Sequence, residues 1–154
     1  MSIRGAGVPF PLKPELLLIG FEAKLQSDFL PFLAAAGWCV HGSCDGRSAV
    51  DLAREQQPWV ILIRDSPPDH NGLRICRRLR ANPGTRTIPI LILSMLGAMI
   101  DRLDGFRAGA DAYLTIPCDF GELFVQLKAL LPFRGLGSSL PVSTPWEGTL
   151  MEGL

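Results

Sequence analysis

The chain has 154 residues, 47% of them apolar, which favours one domain with a full hydrophobic core. It carries 15 basic and 15 acidic residues, so its formal net charge is zero, and this balance argues against direct binding of nucleic acid. No run approaches the roughly 18 consecutive apolar residues of a membrane span, and the first residues lack the apolar core of a signal peptide. We therefore expect a cytoplasmic protein whose four cysteines are reduced.

Strand and helix patterns alternate from residue 15 to residue 132. Short apolar runs are typical of strands buried on both faces of a parallel sheet, whereas apolar residues at helical spacing predict helices. The predicted strands are 15–20, 38–43, 59–64, 88–94 and 112–116, and the predicted helices are 23–36, 46–57, 73–81, 98–108 and 119–131. Pro31 lies inside the first helix, for which we expect a kink or a late start near Ser27.

Five βα units of this kind predict a doubly wound α/β fold, with a parallel sheet and helices on both faces. Residues 1–14 form an extended lead-in, and the Gly-, Pro- and Ser-rich residues 133–154 form a tail or linker. In such sheets the functional crevice lies at the carboxyl ends of the strands. The predicted third strand ends in Arg64, and Asp65 follows it. A positively charged side chain is therefore expected at the carboxyl edge of the sheet, at the end of a buried strand.

Four stretches, in this order and at this spacing, carry a resemblance: AAGWCVHGSCDG (35–46), PPDHNGLRICRRLR (67–80), TIPILILS (87–94) and FRAGADAYLTIP (106–117). Over residues 15–132 the chain resembles the receiver domain of response regulators, the CheY-like family. The resemblance implies a flavodoxin-like strand order of 2-1-3-4-5. It also implies a phosphorylation switch. In the family an acidic pair after the first strand binds Mg²⁺, an aspartate ending the third strand accepts a phosphoryl group, and a lysine after the fifth strand contacts it. A serine or threonine after the fourth strand, coupled to an aromatic residue in the fifth, reads out the modification.

The chain departs from this pattern at nearly every position that carries the chemistry. The acidic pair falls on Gly20 and Phe21, the acceptor on Arg64, and the lysine on Ile116, which precedes Pro117. The chain keeps Glu22, Ser94 and Tyr113. The resemblance also raises the expectation of a cis peptide bond before the proline.

Arg64 cannot act as a phosphoacceptor, because a guanidinium is neither deprotonated nor nucleophilic in proteins. At about 4 Å and an effective dielectric constant of about 20, it would repel Mg²⁺ by roughly 8 kcal/mol. We therefore expect no bound metal, no cofactor and no enzymatic activity. Asp65 is a poor substitute, because neighbouring side chains on a strand point to opposite faces unless a bulge re-aims them.

We expect Arg64 to fill the emptied site as a built-in cation. The space left by Gly20 would make room for it, and Glu22 or Asp65 would be its partner. The alternative is an Arg64 side chain that extends into solvent. For Ser94 and Tyr113 we expect a fixed arrangement rather than a switch, since no phosphoryl group would drive the change.

Three further clusters have a structural and a functional interpretation. Cys39, His41 and Cys44 offer three of the four ligands that structural zinc requires, and we interpret the segment as a core strand. Arg74, Arg77, Arg78 and Arg80 could bind phosphate, but are expected to form a solvated helix face, with Leu73, Cys76 and Leu79 inward. His70, in the turn before this helix, is expected to be solvent-exposed.

Together these features predict a degenerate receiver, a signalling module that acts by protein–protein contact without phosphorylation. Its partner would be another signalling protein or an output domain, and neither nucleic acid nor a membrane is an expected direct partner. The resemblance places the contact surface on the fourth helix, fifth strand and fifth helix, residues 98–131, including Ile100, Arg102, Tyr113 and Phe120. A homodimer through this face is a further expectation.

Two alternatives remain open. The chain could be a receiver regulated by phosphorylation at Asp65 or by a small ligand in the vacated pocket. It could also be the regulatory half of a transcription regulator whose output domain follows residue 154. In the tail, Trp146, Leu150 and Met151 could anchor a partner, fold back on the domain, or belong to a linker.

Overall fold

The computed structural model describes residues 13–21, 23–43, 46–67 and 69–131. Strands and helices alternate in it as β1 (Glu15–Ile19), α1 (Ala23–Ala35), β2 (Cys39–Ser43), α2 (Gly46–Gln56), β3 (Val60–Asp65), α3 (Asn71–Ala81), β4 (Ile90–Ser94), α4 (Met99–Arg107), β5 (Ala112–Thr115) and α5 (Phe120–Leu130). Every predicted element is present, and each end lies within two residues of its predicted position. Most of the predicted lead-in and the whole of the predicted tail lie outside the described residues.

The first helix begins at Ala23 with Pro31 inside it, so the late start predicted near Ser27 is wrong. Proline removes one main-chain hydrogen bond from a helix. Pro31 and Ser27 both lie on the exposed side of α1, where water can hydrate the main chain around the proline.

The five strands form one parallel sheet in the order β2-β1-β3-β4-β5. This confirms the doubly wound fold predicted from the alternating elements and the strand order implied by the resemblance. At its carboxyl edge Asp65 pairs with Ser94, and Ser94 pairs with Thr115. The ends of β3, β4 and β5 therefore lie side by side, as a functional site at this edge requires.

Two hydrophobic clusters cover the two faces of the sheet, because alternate side chains of each strand point to opposite faces. Val60 and Leu62 join the cluster packed against α1 and α5. Ile61 and Ile63 join the cluster packed against α2 and α3. The same alternation directs Arg64 to the first face and Asp65 to the second. Among the described residues, no helix is both long enough and apolar enough to cross a membrane.

The third helix packs as predicted for its apolar residues but not for all of its arginines. Leu73, Cys76 and Leu79 are buried, and Arg74, Arg77 and Arg78 are exposed. Arg80 is the exception, because only 22% of its side-chain surface is accessible. Its predicted place on a solvated face is wrong.

Arg80 instead joins three segments of the chain. Its Nε donates to the carbonyl of Gly109 at 2.7 Å, and its Nη1 donates to the carbonyls of Arg86 at 2.9 Å and Ile88 at 2.6 Å. Its Nη2 donates to the Asp111 carboxylate at 2.6 Å. The planar guanidinium can serve all four acceptors at once because its donors are fixed in a fork.

Candidate functional site

Two of the four positions that carry the chemistry of a receiver are occupied here by buried apolar side chains. Phe21, at the second position of the acidic pair, is fully buried. Ile116, at the position of the lysine, is 2% exposed and belongs to the same hydrophobic cluster. The peptide bond between Ile116 and Pro117 is cis, as the resemblance suggested. Apolar groups can neither bind a divalent cation nor stabilise phosphoryl charge.

Gly20, at the first position of the acidic pair, is held in a conformation that excludes a carboxylate. Its φ is +83°, and a Cβ atom there would lie 2.8 Å from the carbonyl oxygen of Arg64. The space at Gly20 is therefore taken by the Arg64 main chain, so the prediction that it makes room for the guanidinium is wrong.

The Arg64 side chain is partly buried, and its Nε atom is shielded from solvent. This placement does not fit the alternative of a side chain that extends freely into water. Of its two predicted partners, Glu22 lies outside the described residues. The carboxylate of Asp65, the other predicted partner, faces α3 on the other side of the sheet, where it contacts His70 and Leu73.

Asp65 is 4% exposed and stabilises the start of α3. Its Oδ1 accepts a hydrogen bond at 3.2 Å from the main-chain N–H of Leu73, the third residue of that helix. Its Oδ2 lies 2.8 Å from Nδ1 of His70. The His70 side chain is 39% exposed, so it reaches solvent as predicted, but it also contacts Asp65, which the sequence did not indicate. A carboxylate here caps the helix and also interacts favourably with its dipole. Gly72 permits this close approach, since a Cβ there would lie 2.9 Å from Asp65.

Asp65 also borders a small open pocket between α3, the β4–α4 loop and α4. The pocket is lined by Asp65, His70, Leu73, Leu96, Asp101, Asp104 and Tyr113. Three of these side chains are carboxylates, which would repel a phosphoryl group. Within the described ranges, no three His, Cys, Asp or Glu side chains converge in a way that could hold a metal ion.

Ser94 and Tyr113, the two residues that the chain keeps from the family's readout, both contact Leu96. The Tyr113 hydroxyl donates to the Leu96 carbonyl at 2.7 Å, and the Ser94 hydroxyl accepts from the Leu96 N–H at 3.1 Å. Burial raises the pKa of Tyr113, so its phenol stays protonated and able to donate. The expectation that this arrangement is fixed remains a prediction.

Gly105 provides the space for the inward Tyr113 ring. A Cβ on this residue of α4 would lie 2.6 Å from the ring atom Cδ2 of Tyr113. From outside, the Arg102 guanidinium lies 5.7 Å from the ring centroid. We did not single out Gly105 from the sequence, although a glycine inside a helical pattern is a recognised signal of close approach.

Helix α4 turns its apolar side to solvent. Gly105 and Ala108 face the sheet, and Asp101 and Asp104 are only partly exposed. The exposed residues, which we call the α4 apolar face, are Met95 just before the helix, then Met99, Ile100, Leu103 and Phe106. Their exposed fractions range from 42% to 77%. A helix with small and acidic residues inside and large apolar residues outside reverses the usual arrangement.

The candidate interaction surface is therefore smaller than the sequence suggested. Ile100 and Arg102 are exposed, as an interaction residue must be. Tyr113 and Phe120 are buried, at 7% and 5% exposure, so neither offers a side chain to a partner. Phe120 is instead stacked on Phe32 of α1, with ring centroids 4.4 Å apart.

The candidate zinc ligands lie on β2, at the edge of the sheet. Cys39 is exposed, and Nε2 of His41 lies 3.4 Å from a carboxylate oxygen of Glu15 on β1. Cys44 lies outside the described residues. The segment is a strand, as we interpreted it, but an edge strand rather than a core one.

The fold and the carboxyl edge described above agree with a comparison of the sequence with protein-family models. The model of the response regulator receiver domain matches residues 24–128. The chain belongs to this family. Two relatives are named as transcriptional regulators. RpaA of Synechocystis, named a DNA-binding dual master transcriptional regulator, is 36% identical over 118 residues, which are 77% of this chain and 49% of RpaA. TcrX of Mycobacterium tuberculosis, named a probable transcriptional regulatory protein, is 39% identical over 122 residues, which are 79% of this chain and 51% of TcrX. The receiver thus spans about half the length of these two relatives.

Solved receivers share the fold over most of their length. A response regulator from Chloroflexus aurantiacus superposes with a TM-score of 0.67 at 31% identity, covering 77% of this chain and 98% of that one. The receiver domain of the sensor histidine kinase PA1611 from Pseudomonas aeruginosa gives a TM-score of 0.68 at 28% identity, with the same coverage. That structure is described with a magnesium ion coordinated in its active-site cleft.

Proposed function

We propose that this receiver domain of two-component signalling acts by protein–protein contact, without phosphorylation and without catalytic activity of its own. One observation carries the proposal. Where a receiver holds its acidic pair, acceptor and lysine, this chain has Gly20 at a positive φ, a buried Phe21, the cation Arg64 and a buried Ile116. The expected cytoplasmic location remains a prediction.

Phosphoryl transfer depends almost entirely on positioning and on stabilisation of charge. Mg²⁺ requires several oxygen ligands at close range in octahedral geometry. Phe21 and Ile116 supply neither a ligand nor a positive charge. The one carboxylate on β3, that of Asp65, faces a pocket that also contains Asp101 and Asp104. These observations support loss of the switch rather than its relocation to Asp65.

The α4 apolar face supports a contact function. Large apolar side chains grouped on one exposed helix mark an interaction site more often than scattered ones do. Two of the five are methionines, whose flexible side chains adapt to the shape of a partner. Another signalling protein, an output domain or a second copy of the chain could provide the complementary surface.

The second candidate function is that of the regulatory part of a transcription regulator. It is favoured by the names of RpaA and TcrX and by the length of those relatives that the receiver leaves unmatched. In that case the output domain, and not the receiver, would contact DNA, which agrees with the zero net charge of this chain. Sequencing the gene beyond residue 154 distinguishes the two candidates.

Treatment of the full chain with acetyl phosphate and Mg²⁺ tests the loss of phosphorylation. We expect the intact mass to stay unchanged, because the metal ligands and the acceptor are absent from their positions. A receiver that keeps the acidic pair, the aspartate and the lysine, treated in parallel, should gain one phosphoryl group and serves as the control.

A stable mass increase in this chain would contradict the proposal. If the Asp65→Asn variant abolished that increase, the acceptor would be Asp65, and the alternative of unconventional phosphorylation would replace ours. Beryllofluoride that binds together with Mg²⁺, detected by fluorine NMR, would lead to the same conclusion.

A further inference from the structure

We propose that residues 140–154 of the chain bind in cis to the α4 apolar face and cover it. Where a partner uses the same face, this segment would compete with it. The competition rests on the proposed function, whereas the binding of the segment does not.

The α4 apolar face groups five of the seven large apolar side chains that are exposed among the described residues. Met99, Ile100, Leu103 and Phe106 are spaced so that they share one side of the helix. Burial of apolar surface is favourable roughly in proportion to its area, so an occupant of this face gains stability with the area that it covers. The opposite side of the helix, with Gly105, is already packed against Tyr113.

The chain after α5 starts at the correct end of the domain. In a βα unit the helix runs antiparallel to the strands, so α4 and α5 both end at the amino edge of the sheet. These two helices flank β5, the edge strand. The segment that follows Leu131 therefore starts at the edge of the sheet where α4 reaches Arg107.

The connecting length is sufficient. The 14 residues from 132 to 145 lie between the end of the described chain and Trp146. Fully extended, they span up to roughly 45 Å. A helix of nine residues, such as α4, is about 13 Å long, so Trp146 can reach any position along it.

The chemistry of the segment complements that of the face. Trp146, Leu150 and Met151 bring three large apolar side chains within six residues of sequence. The only charged residues after Arg134 are Glu147 and Glu152.

The exposed charges on α4 are positive, opposite to those of the segment. Arg102 and Arg107 are exposed beside the apolar face, whereas Asp101 and Asp104 are turned partly inward. An apolar segment with two acids therefore meets an apolar face with two exposed cations. A second copy bound through the same face would bring its own two arginines to this cationic border, which favours the segment as the occupant.

Fluorescence of Trp146 tests the proposal in the full chain. The other two tryptophans, Trp38 and Trp59, are buried in the core, so the difference between the spectra of the unmodified chain and of Trp146→Phe isolates Trp146. We expect its emission to be shifted to shorter wavelength relative to a hydrated indole. The variant Leu103→Ser should move this emission towards that of hydrated indole.

Leu30→Ser is the matched control. Leu30 is 38% exposed against 42% for Leu103, but lies on α1, which packs on the other face of the sheet. It should leave the Trp146 emission unchanged. A hydrated emission of Trp146 in the unmodified chain, or an equal response to both variants, would overturn the proposal.

The ε-methyl NMR signals of the four methionines provide a readout that does not depend on changes to the folded domain. Trp146→Ala should shift the Met99 signal, because the ring current of the indole is lost, while Ser138→Ala should not. Shifts that depend on protein concentration would show that a second copy is the occupant, and would also overturn the proposal. None of these outcomes bears on phosphorylation, so this inference and the proposed function can fail separately.

Discussion

At the scale of single residues, the site is governed by the alternation of side chains along β3. Arg64 and Asp65 are adjacent, yet they serve opposite faces of the sheet. The carboxylate of Asp65 is committed to Leu73 and His70, which is a structural role at the start of α3. A carboxylate on a strand that caps a neighbouring helix links the two elements. Its loss leaves a main-chain N–H in the first turn of the helix without its hydrogen-bond acceptor.

The first prediction at this scale concerns Asp65. Asp65→Ala should lower the free energy of unfolding by about 1–2 kcal/mol, as the loss of a helix cap does. Asp65→Asn should cost less, because the amide oxygen can still accept from the Leu73 N–H. Asp69→Ala, an exposed neighbour, is the control, and urea denaturation is the measurement. Equal midpoints for Asp65→Ala and Asp69→Ala would show that the cap contributes nothing.

At the scale of elements, α3 and α4 differ in how they join the sheet. Helix α3 buries its apolar side and adds the Arg80 hydrogen bonds to the loops that precede β4 and β5. Helix α4 contacts β5 through Gly105 and Tyr113 and leaves its large apolar residues outside. The first arrangement stabilises the domain, whereas the second leaves surface available for binding.

The prediction at the element scale is that the hydrogen bonds of Arg80 stabilise the segments that lead into β4 and β5. Arg80→Ala should lower the free energy of unfolding by about 2–3 kcal/mol, since hydrogen bonds from a charged donor to partly buried carbonyls are lost. Arg80→Lys should recover little, because an ammonium cannot reproduce the guanidinium geometry. Arg78→Lys, on the exposed side of the same helix, should be close to neutral in thermal unfolding. Full recovery by lysine would mean that charge alone matters.

At the scale of the whole molecule, two hydrophobic clusters on a single sheet account for the stability, and they bury two thiols. Burial raises the pKa of Cys76 to about 11 and that of Cys118 to about 12, from an ordinary value of 9.0. The folded chain thus keeps protons that the unfolded chain releases above its ordinary thiol pKa.

The corresponding prediction concerns pH. Because the pKa values are raised in the folded state, their contribution to stability is complete below pH 9 and is lost as the pH rises from 9.0 towards about 11. Urea midpoints should therefore fall over this range. Cys76→Ala should reduce the slope of the fall, whereas Cys39→Ala, an exposed thiol, should not. A midpoint that is independent of pH above 9.0 would contradict the prediction.

Local pattern determined most of the architecture. Apolar runs of strand length and helical spacing between them identified all ten elements, because buried strands and amphipathic helices leave their period in the chain itself. The same reading identified Arg64 as the decisive departure from the receiver pattern, since residue identity at a strand end needs no tertiary information.

Tertiary structure alone decided which partners the polar residues found. The bond between Asp65 and His70 and the four acceptors of Arg80 join residues from different elements, and no local period encodes such contacts. The sequence also could not show which side of α4 faces solvent. A helical pattern shows which residues share a side, but the packing of Gly105 against Tyr113 decides which side meets the sheet.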